Sequence, residues 1–208
     1  MKILICDDHK IVREGLRQIL KQIEEVTFIG EARDGKEALA LLKGDVYEVV
    51  LLDISLPDQN GLGVLKSVKS KCPSSNVLML SMHPQEQYAI RALKLGASGY
   101  LTKDTAAEEL ILAIKKVSEG GKYISQSLAE NLALHLDDDS IRQKHEMLSN
   151  REFEIMIKIA NGKSLQEIGN ELFISVKTVS TYRCRIMEKM GLKKNAEITR
   201  YCLENNLV

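Results

Sequence analysis

The sequence predicts an α/β domain built on a five-stranded, doubly wound parallel sheet, followed by a small all-α domain. Up to about residue 123, five short apolar segments alternate with segments whose apolar residues recur at helical spacing. The third of these segments, residues 49–53, is apolar on both faces and ends in a carboxylate, which is typical of a strand covered by helices on both sides. From residue 147 on, the strand-like segments disappear and four short helical patterns follow.

The elements of the α/β part follow directly from these patterns. Apolar residues recur at positions 12, 16, 19, 20 and 23, which predicts the first helix, and Thr105 with Glu108 reads as a capping box that opens the last one. The predicted strands are residues 2–6, 27–32, 49–53, 77–81 and 99–101, and the other predicted helices include residues 38–42, 62–68, 89–95 and 110–117.

Residues 123–146 differ from both flanking regions and predict a partly helical linker. Leucines at positions 128, 132 and 136 form a short amphipathic pattern, and the acidic run at 137–140 packs poorly. We therefore expect one domain at 1–122 and a second at 147–208. The helix starts predicted in the second are the capping boxes Ser149/Glu152 and Ser164/Glu167, an N-cap at Ser175, and Asn195.

Composition is that of a soluble globular protein, with 44% hydrophobic and 28% charged residues. The formal net charge is zero, but it is unevenly spread. Residues 147–208 carry ten basic and seven acidic residues, a net charge of +3, so the rest of the chain carries −3. This mild asymmetry permits a polyanionic partner without requiring one.

The cysteines and the apolar runs exclude several classes of protein. The four cysteines form no CxxC pair and have no histidine at metal-ligand spacing, so neither a disulfide framework nor a zinc site is indicated, and free thiols fit a reducing compartment. No apolar run approaches the ~18 residues of a membrane helix, and the first residues are too short an apolar run for a signal peptide. We therefore expect a cytoplasmic protein with no membrane partner.

Polar side chains follow four of the predicted strands where those strands end. Asp7 and Asp8 follow the first, Asp53 ends the third, Ser81 ends the fourth and Lys103 follows the fifth. Because the carboxyl ends of parallel strands meet at one edge of a sheet, we expect these side chains to converge in one crevice. Three close carboxylates favour a hard cation such as Mg²⁺, and a hydroxyl and an ammonium beside them suit phosphoryl transfer to a carboxylate.

Each of these residues also has a simpler interpretation when it is taken singly. Asp7 and Asp8 would cap the following helix, Ser81 would be a strand-end hydroxyl, and Lys103 would be a solvated surface charge. Their joint occurrence, in this order and at these strand ends, favours the phosphoryl-transfer interpretation.

Residues 1–122 resemble the receiver domain of bacterial two-component systems. The resemblance implies a flavodoxin-like fold with strand order 2-1-3-4-5. It also implies that Asp53 is the phosphoacceptor, phosphorylated from a phosphohistidine on a sensor histidine kinase. The residues that carry the resemblance are Asp7, Asp8, Asp53, Ser81, Tyr100 and Lys103.

The resemblance assigns further roles around Asp53. Asp8 and Asp53 would ligate Mg²⁺ directly with the backbone carbonyl of Ser55, and Asp7 would act through water. Lys103 would pair with a phosphoryl oxygen.

The remaining implied roles concern switching and phosphoryl lifetime. Ser81, which stands where Thr is commoner in the family, would move to bond another phosphoryl oxygen. Tyr100 would turn inward behind it. The charge added by phosphorylation would thus shift the receiver between two conformations. Ser55 and His83 occupy positions that modulate the lifetime of the aspartyl phosphate in similar proteins.

Residues 164–190 have the spacing of a helix-turn-helix, two short helices separated by a tight turn at 173–175. On the second helix, Val179, Ile186 and Met190 fall on one face and polar residues fall on the opposite one. Between residues 176 and 194, six basic residues stand against one acidic residue. Such a helix can lie in a DNA major groove, although an ordinary solvated basic face gives the same pattern.

Three segments resemble the LuxR-type four-helix DNA-binding domain: LSNRE at 148–152, EIGNEL at 167–172 and ISVKTV at 174–179. Together the two parts resemble a response regulator of the NarL/FixJ type, which implies double-stranded DNA as a partner and a homodimer on two half-sites when the protein is active. The implied DNA-binding residues are Lys177, Thr178, Ser180, Thr181, Tyr182, Arg183, Cys184, Arg185 and Lys189, and the implied dimerisation residues are Ile198, Tyr201 and Cys202.

Two positions depart from the LuxR-type pattern. Gly169 replaces the usual Ala inside a helix, which costs about 1 kcal/mol unless close helix packing uses it. Ser180 replaces the Lys that many similar domains carry at a groove-facing site, as in a minority subgroup, which affects the assignment of base contacts but not the fold.

These features predict a phosphorylation-activated transcription factor that catalyses only its own phosphoryl transfer and slow dephosphorylation. Phosphorylation of Asp53 would control dimerisation and DNA binding. We hypothesise that the unphosphorylated receiver hinders DNA binding by the second helix of the helix-turn-helix. Two alternatives stay open. One is a receiver whose helical tail binds protein. The other is a Mg²⁺-dependent phosphatase or phosphotransferase of the haloacid-dehalogenase type, although that group has a second Asp where this chain has Ser55.

Overall fold

A computed structural model of the chain describes residues 1–82, 86–125, 129, 144–205 and 207–208. The chain divides into two compact units, Met1–Leu134 and His135–Val208, and each is described by itself. Within the described residues, no helix is long and apolar enough to span a membrane. His83, the leucine pattern at 128–136 and the acidic run at 137–140 lie outside the described residues.

The first unit contains a five-stranded, all-parallel sheet in the order β2-β1-β3-β4-β5, which confirms the predicted topology. In β3 every residue is buried, because helices cover both faces of the sheet. In the register, Cys6 pairs with Leu52 and Asp53 with Leu80, so the strands end at the same level. The strands are β1 Lys2–Cys6, β2 Phe28–Ala32, β3 Val49–Asp53, β4 Asn76–Ser81 and β5 Gly99–Thr102.

Among the described residues of this unit, five helices connect and follow these strands. Apolar residues of the first and the last pack with one face of β1, β3 and β4 in a single core that includes Leu20, Leu51, Leu78 and Ile114. The helices are α1 Lys10–Leu20, α2 Gly35–Gly44, α3 Gly61–Lys71, α4 Glu86–Lys94 and α5 Ala107–Ser118.

The predicted capping box at Thr105 and Glu108 is wrong. The N-cap of α5 is Ala106, and no side chain caps the helix there. The hydroxyl of Thr105 instead lies 3.2 Å from that of Thr102 in a hydrogen bond. The helix therefore begins one residue later than the pattern indicated, because a competing contact occupies the capping group.

The second unit is a short 3-10 helix, Lys144–Met147, followed by α6 Asn150–Ala160, α7 Leu165–Glu171, α8 Val176–Met190 and α9 Asn195–Glu204. The predicted capping boxes at Ser149 and Ser164 are both formed, and Ser175 accepts a hydrogen bond from the backbone N–H of Thr178 at 3.1 Å. The helices enclose a small core that includes Phe153, Ile168, Val179, Ile186 and Ile198.

The turn between α7 and α8 explains the glycine that departs from the LuxR-type pattern. A Cβ atom at Gly169 would lie 2.9 Å from the carbonyl oxygen of Ile174. The carbonyl oxygen of Gly169 also accepts a hydrogen bond from the backbone N–H of Ile174 at 3.0 Å. The close approach of the turn to α7 therefore uses the missing side chain at this position.

Candidate functional site

The predicted cluster at the carboxyl edge of the sheet is assembled around Lys103. Its ammonium lies 2.6 Å from Asp7 Oδ2 and 2.8 Å from Asp53 Oδ2, and all three side chains are almost completely buried. The backbone N–H of Lys103 donates to the carbonyl oxygen of Ser81 at 2.7 Å, which fixes the residue after β5 against the end of β4. Residues from four different strand ends therefore meet in one place.

Burial makes charge costly in this cluster. Burial, opposed by the charge of Lys103 and assisted by that of Asp7, raises the pKa of Asp53 to about 6. Burial lowers the pKa of Lys103, but the adjacent carboxylates outweigh that effect and hold it above its ordinary value. The ammonium thus stays charged, and the carboxylates still exceed it in number.

Asp8 lies at the open side of the cluster beside His9, which the sequence reasoning missed. The side chain of Asp8 is 31% exposed, and its Oδ1 lies 2.8 Å from His9 Nδ1, which is 3.3 Å from Asp7 Oδ1. The sequence offered one sign that His9 belongs to this cluster, which is its position directly after the acidic pair and before α1.

The residues present fit a divalent cation. Ligand atoms of Asp7, Asp8, His9 and Asp53 all lie within 4.8 Å of one another. Asp7 Oδ2 is buried, and the ammonium that contacts it at 2.6 Å is shared with Asp53. Three carboxylates beside one shared ammonium form the oxygen donor set that Mg²⁺ prefers. The backbone N–H of Ser55 donates to Asp53 Oδ1 at 3.2 Å, which helps to orient this carboxylate.

The loop after β3 depends on a glycine that the sequence reasoning also missed. A Cβ atom at Gly61 would lie only 2.0 Å from the carbonyl oxygen of Asp53. The backbone N–H of Gly61 donates to the carbonyl oxygen of Ile54 at 2.7 Å, which closes the loop against the end of the strand. The position of Asp53 therefore depends on close backbone packing that a side chain at position 61 would disturb.

Ser81 and Tyr100 form a buried pair beside the cluster. Burial raises the pKa of the Tyr100 phenol to about 12, against the effect of a side-chain hydrogen bond with Ser81. Tyr100 thus already points inward, towards the hydroxyl that the resemblance assigns to phosphoryl binding.

The predicted DNA-contact residues divide into two groups on α8. Lys177, Thr181, Cys184 and Arg185 are exposed, and the guanidinium of Arg185 lies 5.9 Å from the centre of the Tyr182 ring. Lys189 is exposed as well. The half-buried group consists of Thr178, Ser180, Tyr182 and Arg183.

Two of the predicted DNA-binding side chains bond to other residues of the same unit. Lys189 Nζ lies 2.7 Å from Glu152 Oε2, and Arg183 Nε donates to Asn195 Oδ1 at 2.5 Å. Burial raises the pKa of Glu152, but hydrogen bonds from Lys189 and Ser149 outweigh it and hold that pKa below its ordinary value. Lys189 therefore links α8 to the start of α6.

The predicted dimerisation residues Ile198, Tyr201 and Cys202 all contact other parts of the second unit. The side chains of Ile198 and Cys202 are completely buried in the core of the second unit, and their role in dimerisation stays a prediction. The hydroxyl of Tyr201 is likewise engaged within the unit, 3.0 Å from His145 Nδ1. On the outward face of the same helix, Leu203 is 59% exposed. Helical periodicity correctly identified the apolar face of α9. It did not show that the core of the same unit covers this face.

Comparisons with known proteins agree with this geometry. Residues 3–115 match the response regulator receiver domain, and residues 146–202 match the bacterial regulatory proteins of the luxR family. The chain is 32% identical over 208 residues to the response regulator UvrY of Escherichia coli, covering 100% of this chain and 95% of UvrY. It is 35% identical over 215 residues to the oxygen regulatory protein NreC of Staphylococcus aureus, covering 100% of this chain and 99% of NreC.

Solved structures of the RcsB response regulator of Salmonella are also similar. RcsB of Salmonella typhimurium superposes with a TM-score of 0.63 at 28% identity, over 97% of this chain and 98% of that one. RcsB bound to the promoter rprA in the presence of phosphomimetic BeF3⁻ gives a TM-score of 0.66 at 27% identity, over 97% of both chains. The chain therefore belongs to the response regulators of the NarL/FixJ type, DNA-binding transcription factors that join a receiver domain to a LuxR-type helix-turn-helix domain.

Proposed function

We propose that Asp53 is the phosphoacceptor and that its phosphorylation by a sensor histidine kinase controls dimerisation and DNA binding. The observation that carries the proposal is the buried group of Asp53, Asp7 and Lys103, in which one ammonium contacts both carboxylates. A buried carboxylate beside a fixed ammonium is a nucleophile with a partner for the incoming phosphoryl charge.

The transfer would use the residues of this edge of the sheet. A carboxylate oxygen of Asp53 bonds to phosphorus while the bond from phosphorus to the imidazole nitrogen of the donor phosphohistidine breaks and the imidazole leaves with the electron pair. Lys103 neutralises one phosphoryl oxygen, and Ser81 bonds another while Tyr100 packs behind it.

The same residues would hold a metal ion. Asp8 and Asp53 would ligate Mg²⁺ with the backbone carbonyl of Ser55, and Asp7 would act through water. A bound Mg²⁺ supplies positive charge that offsets the phosphoryl oxygens. Apart from this transfer and slow loss of the phosphoryl group, we propose no enzymatic activity.

Binding to DNA would be the output. We propose that α8 lies in a major groove with its exposed residues Lys177, Thr181, Cys184 and Arg185 towards the DNA, and that a homodimer binds two half-sites. The domains would span residues 1–122 and 147–208 with a linker between them. Because bacterial chromosomal DNA lies in the cytoplasm, we expect the protein to act there.

The test is phosphorylation of the full chain with acetyl phosphate and Mg²⁺, read by intact and peptide mass. We expect an acid-stable, hydroxylamine-labile adduct on Asp53 that is absent from Asp53→Ala and from samples without Mg²⁺. Asp104→Ala removes an exposed carboxylate beside Lys103 and serves as the matched control. A wild-type chain that gains no adduct under these conditions would refute the proposed acceptor.

The DNA arm separates this proposal from a tail that binds protein. Affinity for a selected DNA site should rise after phosphorylation and fall steeply with salt, because each neutralised phosphate releases counterions. If the affinity for this DNA site does not change with salt concentration, that result would favour the alternative in which the tail binds protein.

A further inference from the structure

His9 adjoins the acidic cluster, and none of the roles described above uses it. Its Nδ1 lies 2.8 Å from Asp8 Oδ1 and 3.3 Å from Asp7 Oδ1. The side chain is 64% exposed, so it reaches these carboxylates from the open side of the site.

The backbone holds the residue in this position. The N–H of His9 donates to Asp7 Oδ1 at 2.8 Å, and His9 is the N-cap of α1 with extended backbone angles. Its imidazole makes no capping hydrogen bond to the helix. The ring nitrogen therefore faces the same carboxylate oxygens that a cation would face, and it is not needed for the helix.

A second observation points to an ion at this position. Asp7 and Asp53 share the ammonium of Lys103, so the carboxylates of Asp7, Asp8 and Asp53 outnumber it. Ligand atoms of Asp7, Asp8, His9 and Asp53 all lie within 4.8 Å of one another. Ligands on opposite sides of a divalent ion stand about 4.2 Å apart, given metal–ligand distances near 2.1 Å. A small closure would thus let His9 bind the same ion as Asp8 and Asp53.

We propose that His9 is a further side-chain ligand beside Asp8 and Asp53 and that its nitrogen makes this site prefer divalent transition metal ions, such as Co²⁺, Ni²⁺ and Zn²⁺, over Mg²⁺. The inference rests on the proposed phosphoacceptor site, which it deepens by naming the ions that the site selects. Mg²⁺ takes oxygen ligands, whereas imidazole suits the later first-row ions, whose affinities also rise along the series. A site with oxygen ligands alone would have a smaller preference.

The test is calorimetric titration of the full chain with Co²⁺ and, separately, with Mg²⁺. For His9→Gln and His9→Asn we expect Co²⁺ affinity to fall at least about tenfold, the scale on which even residues that only orient ligands act, with a much smaller change for Mg²⁺. Lys10→Gln is the matched control, because Lys10 is the next residue and its ammonium lies 3.6 Å from Glu14 rather than at the cluster. It should leave both affinities unchanged.

Direct ligation has its own spectroscopic signature. In the Co²⁺-loaded wild type, a ligating imidazole gives a strongly shifted, solvent-exchangeable N–H proton resonance, which should be missing from both His9 variants. Equal losses of Co²⁺ and Mg²⁺ affinity, or a resonance that survives in the variants, would overturn the inference.

The two proposals fail in different ways. A phosphate adduct on wild-type Asp53 with Mg²⁺, combined with a Co²⁺ preference that does not depend on His9, would overturn the metal inference alone. A His9-dependent Co²⁺ preference without any adduct would support the metal inference and overturn the proposed acceptor.

Discussion

Each of the two units buries a group of charged side chains, and the two groups are balanced differently. In the first unit, Asp7 and Asp53 share one ammonium, and burial raises the pKa of Asp53 to about 6. In the second unit, Glu152 has its own ammonium from Lys189 and a capping serine, and its pKa is lowered. Charge balance therefore distinguishes a site suited to a further cation from a pair that holds two helices together.

The largest expected effect comes from removing the ammonium of the balanced pair. Lys189→Met leaves Glu152 buried without its partner and should lower the free energy of unfolding by about 2–4 kcal/mol, less than for a fully buried pair because the lysine is partly exposed. Denaturant unfolding of the full chain, with Glu152→Gln and the double variant to complete a cycle, measures the coupling. Additive effects of the two single variants would show that the pair is not coupled.

The pH dependence of that pair has a definite sign. Because the pKa of Glu152 is lower in the folded protein, its contribution to stability is present above its ordinary value of 4.5 and is lost as pH falls through the folded value. The Lys189→Met chain should lose this acid-side decrease. Unfolding measured from pH 3 to 7 tests it, and identical pH profiles for the two proteins would contradict it.

Removing a charge from the unbalanced group should have the opposite effect. Asp53→Asn removes a buried carboxylate whose charge is disfavoured, so in a metal-free buffer at pH 7 the free energy of unfolding should increase by about 3 kcal/mol. Since the pKa of Asp53 is raised from 3.8 to about 6, wild-type stability should fall as pH rises through that interval, and the variant should lack this fall. A less stable variant would mean that Asp53 and Lys103 are balanced after all.

A smaller effect is expected from the backbone that positions Asp53. In Gly61→Ala the new Cβ would meet the carbonyl oxygen of Asp53, which should lower the free energy of unfolding by about 1–2 kcal/mol and weaken Mg²⁺ binding. Gly63→Ala is the matched control, because a Cβ there has open space within 4 Å and lies inside α3. If both variants unfold alike, the close approach at Gly61 is unimportant.

The smallest change in stability is expected for a basic residue without a buried partner. Lys177→Ala should alter the free energy of unfolding by less than about 0.5 kcal/mol. It should nevertheless reduce the salt slope of DNA binding by about 1, as expected for one lost phosphate contact. Titrations of a selected site at several salt concentrations measure the slope. An unchanged slope would remove Lys177 from the DNA interface.

By itself, the sequence determined the features that depend on local patterns. Alternating apolar segments determined the α/β part, and Ser149 and Ser164 with their partner glutamates determined two helix starts, because capping groups act within three residues. The convergence of Asp7, Asp53 and Lys103 was also predictable, since the carboxyl ends of parallel strands meet at one edge.

Only the tertiary structure decided which side chains these features engage. The pairing of Lys189 with Glu152, the burial of Ile198 and Cys202, and the closeness of Gly61 to Asp53 all depend on segments brought together by folding. Thr105, which was predicted to cap a helix, instead forms a hydrogen bond with the hydroxyl of Thr102. A helical or strand period identifies a face, but the neighbour that covers this face, and hence its role, is set by packing between distant parts of the chain.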